Sequence, residues 1–258
     1  MKLDSRHAIW GLYLLSALLV IFSVSIILYQ YVAALGSWSA VLAAMGEFRV
    51  LSALELSITS SIAATGLAIL LGVPLAYLLA TRDFAYKLLL ETLVIDVPQT
   101  FPPIAEGIIL LLMLGPSSPL GINLAYTFAA LVLAKLFIAG PFIVSFVARR
   151  FRDIRRSGMS LTARSLGADP FQVFTTIYLP LSWHEIAAGS AMCWSRAMGE
   201  LGGSLLFAGV IAGQTETIPT FVSVSATSFA IPALAATLLG TTASTLALLS
   251  FKRLMPKE

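Results

Sequence analysis

Six long apolar stretches, separated by shorter polar intervals, dominate the pattern of this chain. A helix needs about 20 predominantly apolar residues to cross a bilayer, and each stretch is long enough to do so. The predicted spans cover residues 8–29, 56–80, 91–114, 122–148, 185–212 and 226–251. The first apolar run exceeds the roughly 7–15 residues of a signal-peptide core, so it is interpreted as a retained helix.

Composition supports the membrane interpretation. Of the 258 residues, 58% are hydrophobic and only 11% are charged, whereas soluble domains carry about 25% charged residues. The mean hydropathy is +0.92. The fold class predicted is therefore an all-α polytopic membrane protein with about six transmembrane helices. We expect one transmembrane domain over 1–258, with an N-terminal helix and outer loop (1–50), a core (51–250) and an internal polar loop (157–180).

Lysine and arginine lie mostly on one side of the predicted spans, which fixes the orientation because cytoplasmic loops carry an excess of these residues. Thirteen of the sixteen share that side. They are Lys2, Arg6, Arg82, Lys87, Arg149, Arg150, Arg152, Arg155, Arg156, Arg164, Lys252, Arg253 and Lys257. The sequence thus predicts a multi-pass protein of the cytoplasmic (inner) membrane with both termini in the cytoplasm.

The basic run at 149–156 has two interpretations. Nucleic-acid binding would need a stacking platform of aromatic residues, and none accompanies the run. Lysine and arginine beside a membrane span fix topology and contact anionic lipid headgroups. We therefore expect the lipid bilayer, and no nucleic acid, as a partner of this segment.

The polar loop 157–180 has the punctuation of two short helices. Ser157 or Ser160 can cap the first helix, and Gly167 can close it in a left-handed conformation. Asp169 is a second N-cap, and Pro170 follows at the first helical position. Pro180 is expected to end the second helix. The pattern alone leaves open whether the loop is a folded connector or a docking element.

Helical spacing predicts one apolar face on the second of these helices. The positions expected on that face are Phe171, Phe174, Ile177 and Tyr178.

The third predicted span is interrupted by prolines. Pro98, Pro102 and Pro103 precede Glu106 and a clean apolar run. Proline removes backbone hydrogen bonds, and freed carbonyls cannot face lipid. The break is therefore either a bend at the membrane interface or a segment that lines a pathway, and broken helices in transporters favour the second interpretation.

Ionisable residues occur within three predicted spans. Lys135 lies near the middle of the fourth span, where a lysine costs about 3 kcal/mol, so it should face the bundle interior. Glu106 and Glu200 are candidate partners; alternatively, Lys135 lies nearer an interface and snorkels. Arg196 and Glu200 are four residues apart and could pair on one helix face.

Small residues surround that predicted pair and permit close helix approach. They are Gly199, Gly202, Gly203 and Ser204. A structural ion pair that locks helix packing is the favoured interpretation, and a direct substrate contact is the alternative.

Several kinds of chemistry have no motif in this sequence. It contains no phosphate-binding loop of an ATPase and no HExxH zinc pair. Ser204 and His184 are 20 residues apart in one predicted helix, about 30 Å at the helical rise, which makes a catalytic dyad within one chain implausible. The lone Cys193 excludes an intrachain disulfide. We therefore predict that this chain is not itself an enzyme.

The loop 157–180 resembles a known motif. Gly167, nine further residues and then Ile177-x-Leu179-Pro180 are similar to the second half of the EAA loop of membrane subunits in binding-protein-dependent ATP-binding-cassette importers. Ala163 matches the second alanine of that motif, while Leu161 replaces its glutamate and Thr162 its first alanine. The segment 195–209 closely resembles molybdate permeases, and more loosely sulfate and tungstate permeases, as does 94–107.

This resemblance implies a permease subunit that imports a tetrahedral oxyanion, molybdate or tungstate first and sulfate as the alternative. It implies a homodimer with its pathway along the third and fifth spans, two ATPase subunits on the loop and an extracytoplasmic binding protein. The chain itself would hold no cofactor, and ATP and magnesium would bind to the partner ATPase. The implied coupling residues are Ala163, Gly167, Ala168, Asp169, Pro170, Phe171, Ile177, Leu179 and Pro180. The candidate pathway or gate residues are Pro98, Pro102, Glu106, Lys135, Arg196, Gly199, Glu200, Gly203 and Ser204.

Two rival hypotheses remain at the sequence level. One is a stand-alone secondary carrier driven by an ion gradient through Lys135, Glu106 and Glu200. The other is an intramembrane enzyme that uses Ser204 and His184. Neither explains the spacing that resembles the EAA loop.

Overall fold

A computed structural model describes residues 5–226, 228 and 230–254, and this part of the chain is helical with no strand. The predicted all-α membrane fold is confirmed. The helices are α1 (Ser5–Leu35), α2 (Trp38–Met45), α3 (Phe48–Thr81), α4 (Lys87–Glu91), α5 (Val97–Thr100), α6 (Pro103–Leu114), α7 (Phe128–Arg156), α8 (Met159–Ser165), α9 (Pro170–Val173), α10 (Leu179–Leu181), α11 (Trp183–Met198), α12 (Ile218–Ser225) and α13 (Ala230–Leu254). Three π-helical turns interrupt them: π1 (Thr92–Asp96), π2 (Phe174–Tyr178) and π3 (Ser204–Ala208).

Four helices of the described chain are each long and apolar enough to cross a membrane, namely α1, α3, α7 and α13. The bent pair from Lys87 to Leu114 would make a fifth span. Helix α11 has only 16 residues, because the predicted fifth span breaks after Met198. The expected count of about six is thus roughly met, with two of the six spans broken.

The core is a bundle of α3, α7 and α11. Small residues let these helices approach closely: a Cβ atom on Gly72 of α3 would lie 3.2 Å from Val144 of α7, and one on Gly189 of α11 would lie 3.2 Å from the Ile143 backbone. Large buried side chains, including Leu79 and Phe151, fill the space toward the end that carries most of the arginines. We call this the basic end of the bundle.

The third span is broken where the prolines predict it. Phe101 and Pro102 adopt extended ψ angles of 134° and 123°, because a residue that precedes proline is disfavoured in the helical region. The helical segments on either side form an angle of 116°. Upstream, π1 ends two residues before Pro98, and π2 likewise ends two residues before Pro180. Since proline lacks an N–H, a widened turn helps to accommodate the carbonyl left without its donor.

The ends of other elements differ from the prediction. Helix α1 extends to Leu35, and the expected outer loop before residue 50 contains α2. Helix α7 begins at Phe128 rather than at 122, because Thr127 caps it by accepting a hydrogen bond from the Ala130 N–H at 3.3 Å. The apolar side chains of α1 are almost all exposed within this single chain.

Asp83, in the short loop after α3, ties that loop to the basic end of α7. Arg155 donates to it at 2.6 Å and Lys87 at 3.3 Å. These hydrogen bonds, that of Arg155 foremost, lower the pKa of Asp83 from 3.8 to about 2. Because the folded-state pKa is the lower one, the stabilisation is present above pH 3.8 and is lost as the pH falls toward 2.

We therefore expect Asp83→Asn to lower the melting temperature of the purified protein slightly at pH 7 and much less near pH 2. Thermal unfolding in detergent at both pH values measures this. Asp153→Asn is the control, since Asp153 contacts Arg156 only at 3.6 Å on the surface. An equal effect of Asp83→Asn at both pH values would contradict the assignment.

Candidate functional site

The predicted helical hairpin at the basic end is present, but its first cap is different. Gly158, with φ of +81°, occupies the N-cap position of α8, where Ser157 or Ser160 was expected, although the Ser157 hydroxyl accepts a long hydrogen bond from the Met159 N–H at 3.5 Å. Ser157 instead closes α7, and its hydroxyl donates to the Ile154 carbonyl at 2.8 Å. A left-handed glycine turns the chain from α7 directly into α8 and takes the N-cap position itself.

The turn between the two short helices forms as the residues predict. Gly167 has φ of +93°, and its N–H donates to the Arg164 carbonyl at 3.0 Å. The Asp169 side chain accepts from the N–H groups of Phe171 and Gln172 at 2.8 and 2.9 Å, and the Gln172 side chain accepts from the Asp169 N–H. This capping box fixes the direction in which α9 leaves the turn.

Pro180 does not end the second helix. The helix passes from α9 through π2 into α10 and ends at Leu181, one residue beyond Pro180. Proline is tolerated there because it lies in the first turn of α10, just after the widened π turn.

The buried face of this helix differs from the predicted one by one residue. Phe171 is 72% exposed, whereas Val173 and Tyr178 are buried. Phe174 and Ile177 are partly buried against the core, as predicted.

An aromatic cluster fastens the loop to the spans. The Tyr77 ring of α3 lies 4.9 Å from Phe174 and 5.1 Å from Tyr178, and Phe151 of α7 lies 5.2 Å from Tyr178. Such edge-to-face contacts add to the energy of burial. The loop is therefore packed firmly against α3 and α7 and is not a loose connector.

Three apolar side chains of the loop are exposed in this single chain. Leu161 is 69%, Leu166 85% and Phe171 72% exposed. We call these three residues the loop surface. Of the other predicted coupling residues, Ala163 and Ala168 pack against the core, Pro170 begins α9, and Leu179 and Pro180 are exposed.

The second region of interest is the break after α11, between Met198 and π3. Three of the five residues from 199 to 203 are glycine, and each glycine costs a helix about 1 kcal/mol relative to alanine. Glu200 replaces the missing helical bonds: its carboxylate accepts from the N–H groups of Gly203 at 2.8 Å and Ser204 at 2.9 Å, and from the Ser204 hydroxyl. Glu200 is therefore a cap for π3.

The expected Arg196–Glu200 ion pair is absent among the described residues. The helix ends at Met198, so the four-residue spacing no longer places the two side chains on one helix face. Arg196 is half-buried, and Gly199 is exposed at the break.

The two broken spans cross each other at glycines. A Cβ atom on Gly107 would lie 2.7 Å from the Gly202 carbonyl oxygen, and one on Gly202 would lie 2.3 Å from the Pro103 backbone. Glu106 lies in the same crossing, since a Cβ atom on Gly203 would be 3.0 Å from its Oε1. The structure thus brings together Glu106, Glu200, Gly203 and Ser204, all buried.

Lys135 is fully buried, but neither glutamate is its hydrogen-bond partner. Its ammonium group donates to the Ser57 carbonyl at 3.2 Å and to the Ser61 hydroxyl at 2.9 Å. The alternative of snorkelling is excluded by this burial. The serines of α3 were not among the predicted partners of Lys135, although Ser57, Ser61 and Thr65 recur every four residues in an apolar helix and so share one face.

The remaining predicted pathway residues lie elsewhere. Pro98 is part of an apolar groove of about 420 Å³ that Gly140 and Pro141 also line. Pro102 precedes α6 at the bend.

An ion pair that was not predicted lies at the opposite end of the bundle from the loop. There Arg49 makes two hydrogen bonds to the buried Glu216, at 2.8 and 2.6 Å.

Comparison with known proteins gives the family. Residues 68–257 match the family described as binding-protein-dependent transport system inner membrane component. The molybdenum transport system permease protein ModB of Mycobacterium bovis is 34% identical over 65% of this chain and 66% of its own length. The molybdate/tungstate permease WtpB of Thermococcus kodakarensis is 34% identical over 62% of this chain and 61% of its own length.

A more distant relative and a solved structure extend the comparison. The sulfate permease CysW of Synechococcus elongatus is 28% identical over 69% of this chain and 64% of its own length. The chain spans about two thirds of the length of these curated relatives. A bacterial ABC transporter involved in alginate import has the same fold, with a TM-score of 0.72 at 16% identity over 97% of this chain and 96% of its own.

The polytopic helical fold, the match over most of the chain and the resemblance of the loop all agree. The chain belongs to the family of inner-membrane components of binding-protein-dependent transport systems, and its relatives come from the molybdate, tungstate and sulfate branch.

Proposed function

We propose that this chain is the permease subunit of an ATP-driven importer that moves a tetrahedral oxyanion, molybdate or tungstate, across the cytoplasmic membrane. The loop surface carries this proposal. Leu161, Leu166 and Phe171 are exposed on a hairpin whose inner turn has a capping box at Asp169 and which aromatic rings fasten to α3 and α7. A rigid apolar protrusion transmits motion between a docked subunit and the spans, whereas a plain connector needs neither its rigidity nor its apolar surface.

The partners follow from the same arrangement. Two ATPase subunits, which bind ATP and magnesium, dock on the loops of two copies of this chain at the cytoplasmic side. An extracytoplasmic binding protein delivers the oxyanion to the other side. Leu161 replaces the glutamate of the EAA motif, so the contact at that position is apolar in this protein.

The glycine crossing of α6 and π3 is the proposed gate. When the ATPases close, the loop moves and carries α3 and α7 with it. Because α6 and π3 pack on that bundle, they move as well. The glycines allow the two broken spans to touch at the backbone, which closes a pathway without bulky side chains. Arg196, Gly199 and Lys135 lie near this crossing and are the candidates for contact with a passing anion.

The decisive experiment is reconstitution. The chain is purified with and without its candidate ATPase, inserted into proteoliposomes and supplied with the cognate binding protein. Uptake of molybdate, tungstate and sulfate is then measured with and without ATP. ATP-dependent uptake of molybdate or tungstate supports the proposal, preference for sulfate supports the alternative that CysW suggests, and uptake by the chain alone would establish the secondary carrier.

We expect Gly167→Pro to abolish most ATP-driven uptake while the membrane core stays folded. Proline is fixed near φ of −65°, whereas Gly167 adopts +93° and donates its N–H to Arg164. Gly167→Asn is the matched control, because asparagine tolerates the left-handed region, and it should retain more uptake. Normal uptake by a well-expressed proline variant would contradict the proposed coupling role of this turn.

A further inference from the structure

Glu106 is a buried carboxyl group without a hydrogen-bond donor. It is 2% exposed, and no donor among the described residues reaches either of its carboxylate oxygens. An isolated ionised carboxylate in an apolar environment is so costly that the group binds a proton instead. Within a membrane-spanning bundle this cost is greater than at a protein surface.

The charged groups around Glu106 do not offset that cost. Glu200 faces it from the neighbouring break, and its carboxylate is fully engaged as the cap of π3 by three donors. Glu200 therefore has hydrogen-bond donors where Glu106 has none among the described residues. Two such carboxylates side by side cannot both ionise readily.

The nearest cations are directed elsewhere. Lys135 on α7 donates to Ser57 and Ser61. Arg196 on α11 is half-buried and forms no ion pair with Glu106 in the part of the chain that the structure describes. The described helices packed around the crossing therefore supply no contact ion pair to Glu106, and the attraction of Arg196 acts only at a distance.

Backbone packing closes the site. Gly107 and Gly202 leave no space for a Cβ atom between α6 and the segment before π3. Gly203 packs equally closely, since a Cβ atom there would lie 3.0 Å from Oε1 of Glu106. Only a rearrangement that separates α6 from π3 can bring water to this carboxyl group.

We propose that Glu106 is a proton-binding site, neutral while α6 and π3 are in contact, that releases its proton to water when they separate. On separation the carboxyl O–H bond breaks, the electron pair stays on the carboxylate and the proton passes to a water molecule. On closure a proton returns from water. The inference goes beyond the proposed function by coupling each gate movement to one proton, so acidic conditions favour the closed crossing.

Infrared spectroscopy of the purified, full-length chain tests this directly. At about pH 8, exposed carboxyl groups are ionised, so a carboxylic-acid C=O band that shifts in heavy water reports a buried protonated group. We expect this band in the unmodified protein, its loss in Glu106→Gln, and its retention in Glu200→Gln and in the surface control Glu47→Gln. Absence of the band in the unmodified protein, or its persistence in Glu106→Gln, would overturn the proposal.

Glu106→Asp keeps the test decisive if the glutamine variant does not fold. This variant retains an acid at the site and should shift the band without removing it, while an unshifted band assigns the proton to another residue. The readout needs neither an ATPase nor an oxyanion. Failure of the importer proposal therefore leaves this result interpretable, and the reverse also holds.

A transport measurement follows in the reconstituted importer. ATP-driven uptake should depend on pH in the unmodified protein, and Glu106→Gln, which is permanently neutral, should flatten that dependence. An unchanged pH profile in a folded Glu106→Gln variant would show that no proton at this site enters the cycle.

Discussion

Arg49→Ala should destabilise the protein by about 3 kcal/mol, the lower end of the range for breaking a buried ion pair by removing one partner. Arg49, in the first turn of α3, makes two hydrogen bonds to Glu216 at 2.8 and 2.6 Å. The Glu216 side chain is completely buried, while that of Arg49 is 44% exposed. Loss of the guanidinium leaves a buried carboxylate without a partner, and partial access of water to Arg49 moderates the cost.

A double-mutant cycle separates this pair from its surroundings. Arg49→Met with Glu216→Met should recover most of the stability, because replacement of both charges by apolar groups of similar size is often nearly neutral. The exposed Arg82→Ala is the matched control for loss of an arginine. Thermal unfolding in detergent gives all of the values, and a melting temperature for Arg49→Ala equal to that of Arg82→Ala would refute the prediction.

The pair matters because of what it connects. Arg49 lies in the first turn of α3, the central helix of the bundle, and Glu216 lies in the segment that leads into α12. The guanidinium also lies 5.2 Å from the centre of the Phe221 ring in α12. Arg49→Lys should not restore stability fully, since a lysine cannot form the two parallel hydrogen bonds.

Gly202→Ala should cost at least about 1–3 kcal/mol, the usual effect of inserting atoms into a well-packed core. A Cβ atom at this position would lie 2.3 Å from the backbone carbon and oxygen of Pro103. Backbone cannot rotate away as a flexible side chain can, so α6 must shift as a unit. Because α6 carries Glu106, we also expect the proposed gate to lose its closed geometry.

Gly66→Ala is the matched control. Gly66 lies within α3, and a Cβ atom there would meet nothing within 4 Å, so alanine should stabilise by up to about 1 kcal/mol through helix propensity. Unfolding in detergent and the fraction of monodisperse protein after purification compare the two variants. Similar behaviour of Gly202→Ala and Gly66→Ala would show that the crossing is looser than its geometry indicates.

Local chemistry in the sequence was sufficient for the hairpin turn and for the broken third span. Gly167, Asp169 and Pro170 act within a few residues of their own positions, so their roles follow from backbone geometry alone. The prolines at 98, 102 and 103 likewise remove hydrogen bonds wherever they occur. The predicted orientation rests on charge counting and remains a prediction.

Contacts between distant segments could not be predicted in the same way. The Arg196–Glu200 pair was expected from a continuous helix, but glycines end that helix at Met198 and Glu200 caps π3 instead. Glu106 and Glu200 were the candidate partners of Lys135, but its ammonium group donates to a carbonyl and a hydroxyl of α3. Both errors arose because a sequence shows the spacing along one helix and not which neighbour lies beside it.

By itself the sequence determined the membrane class, the approximate spans, the family resemblance and the turn of the loop at 157–180. Hydrophobic length and the conformational limits of proline and glycine are local properties that need no partner segment. Tertiary structure decided that Phe171 is exposed while Tyr178 is buried, that Arg49 pairs with Glu216, and that Glu106 is enclosed without a donor where two broken spans cross. Burial and pairing depend on helices far apart in sequence, and only their packing determines which groups lose water.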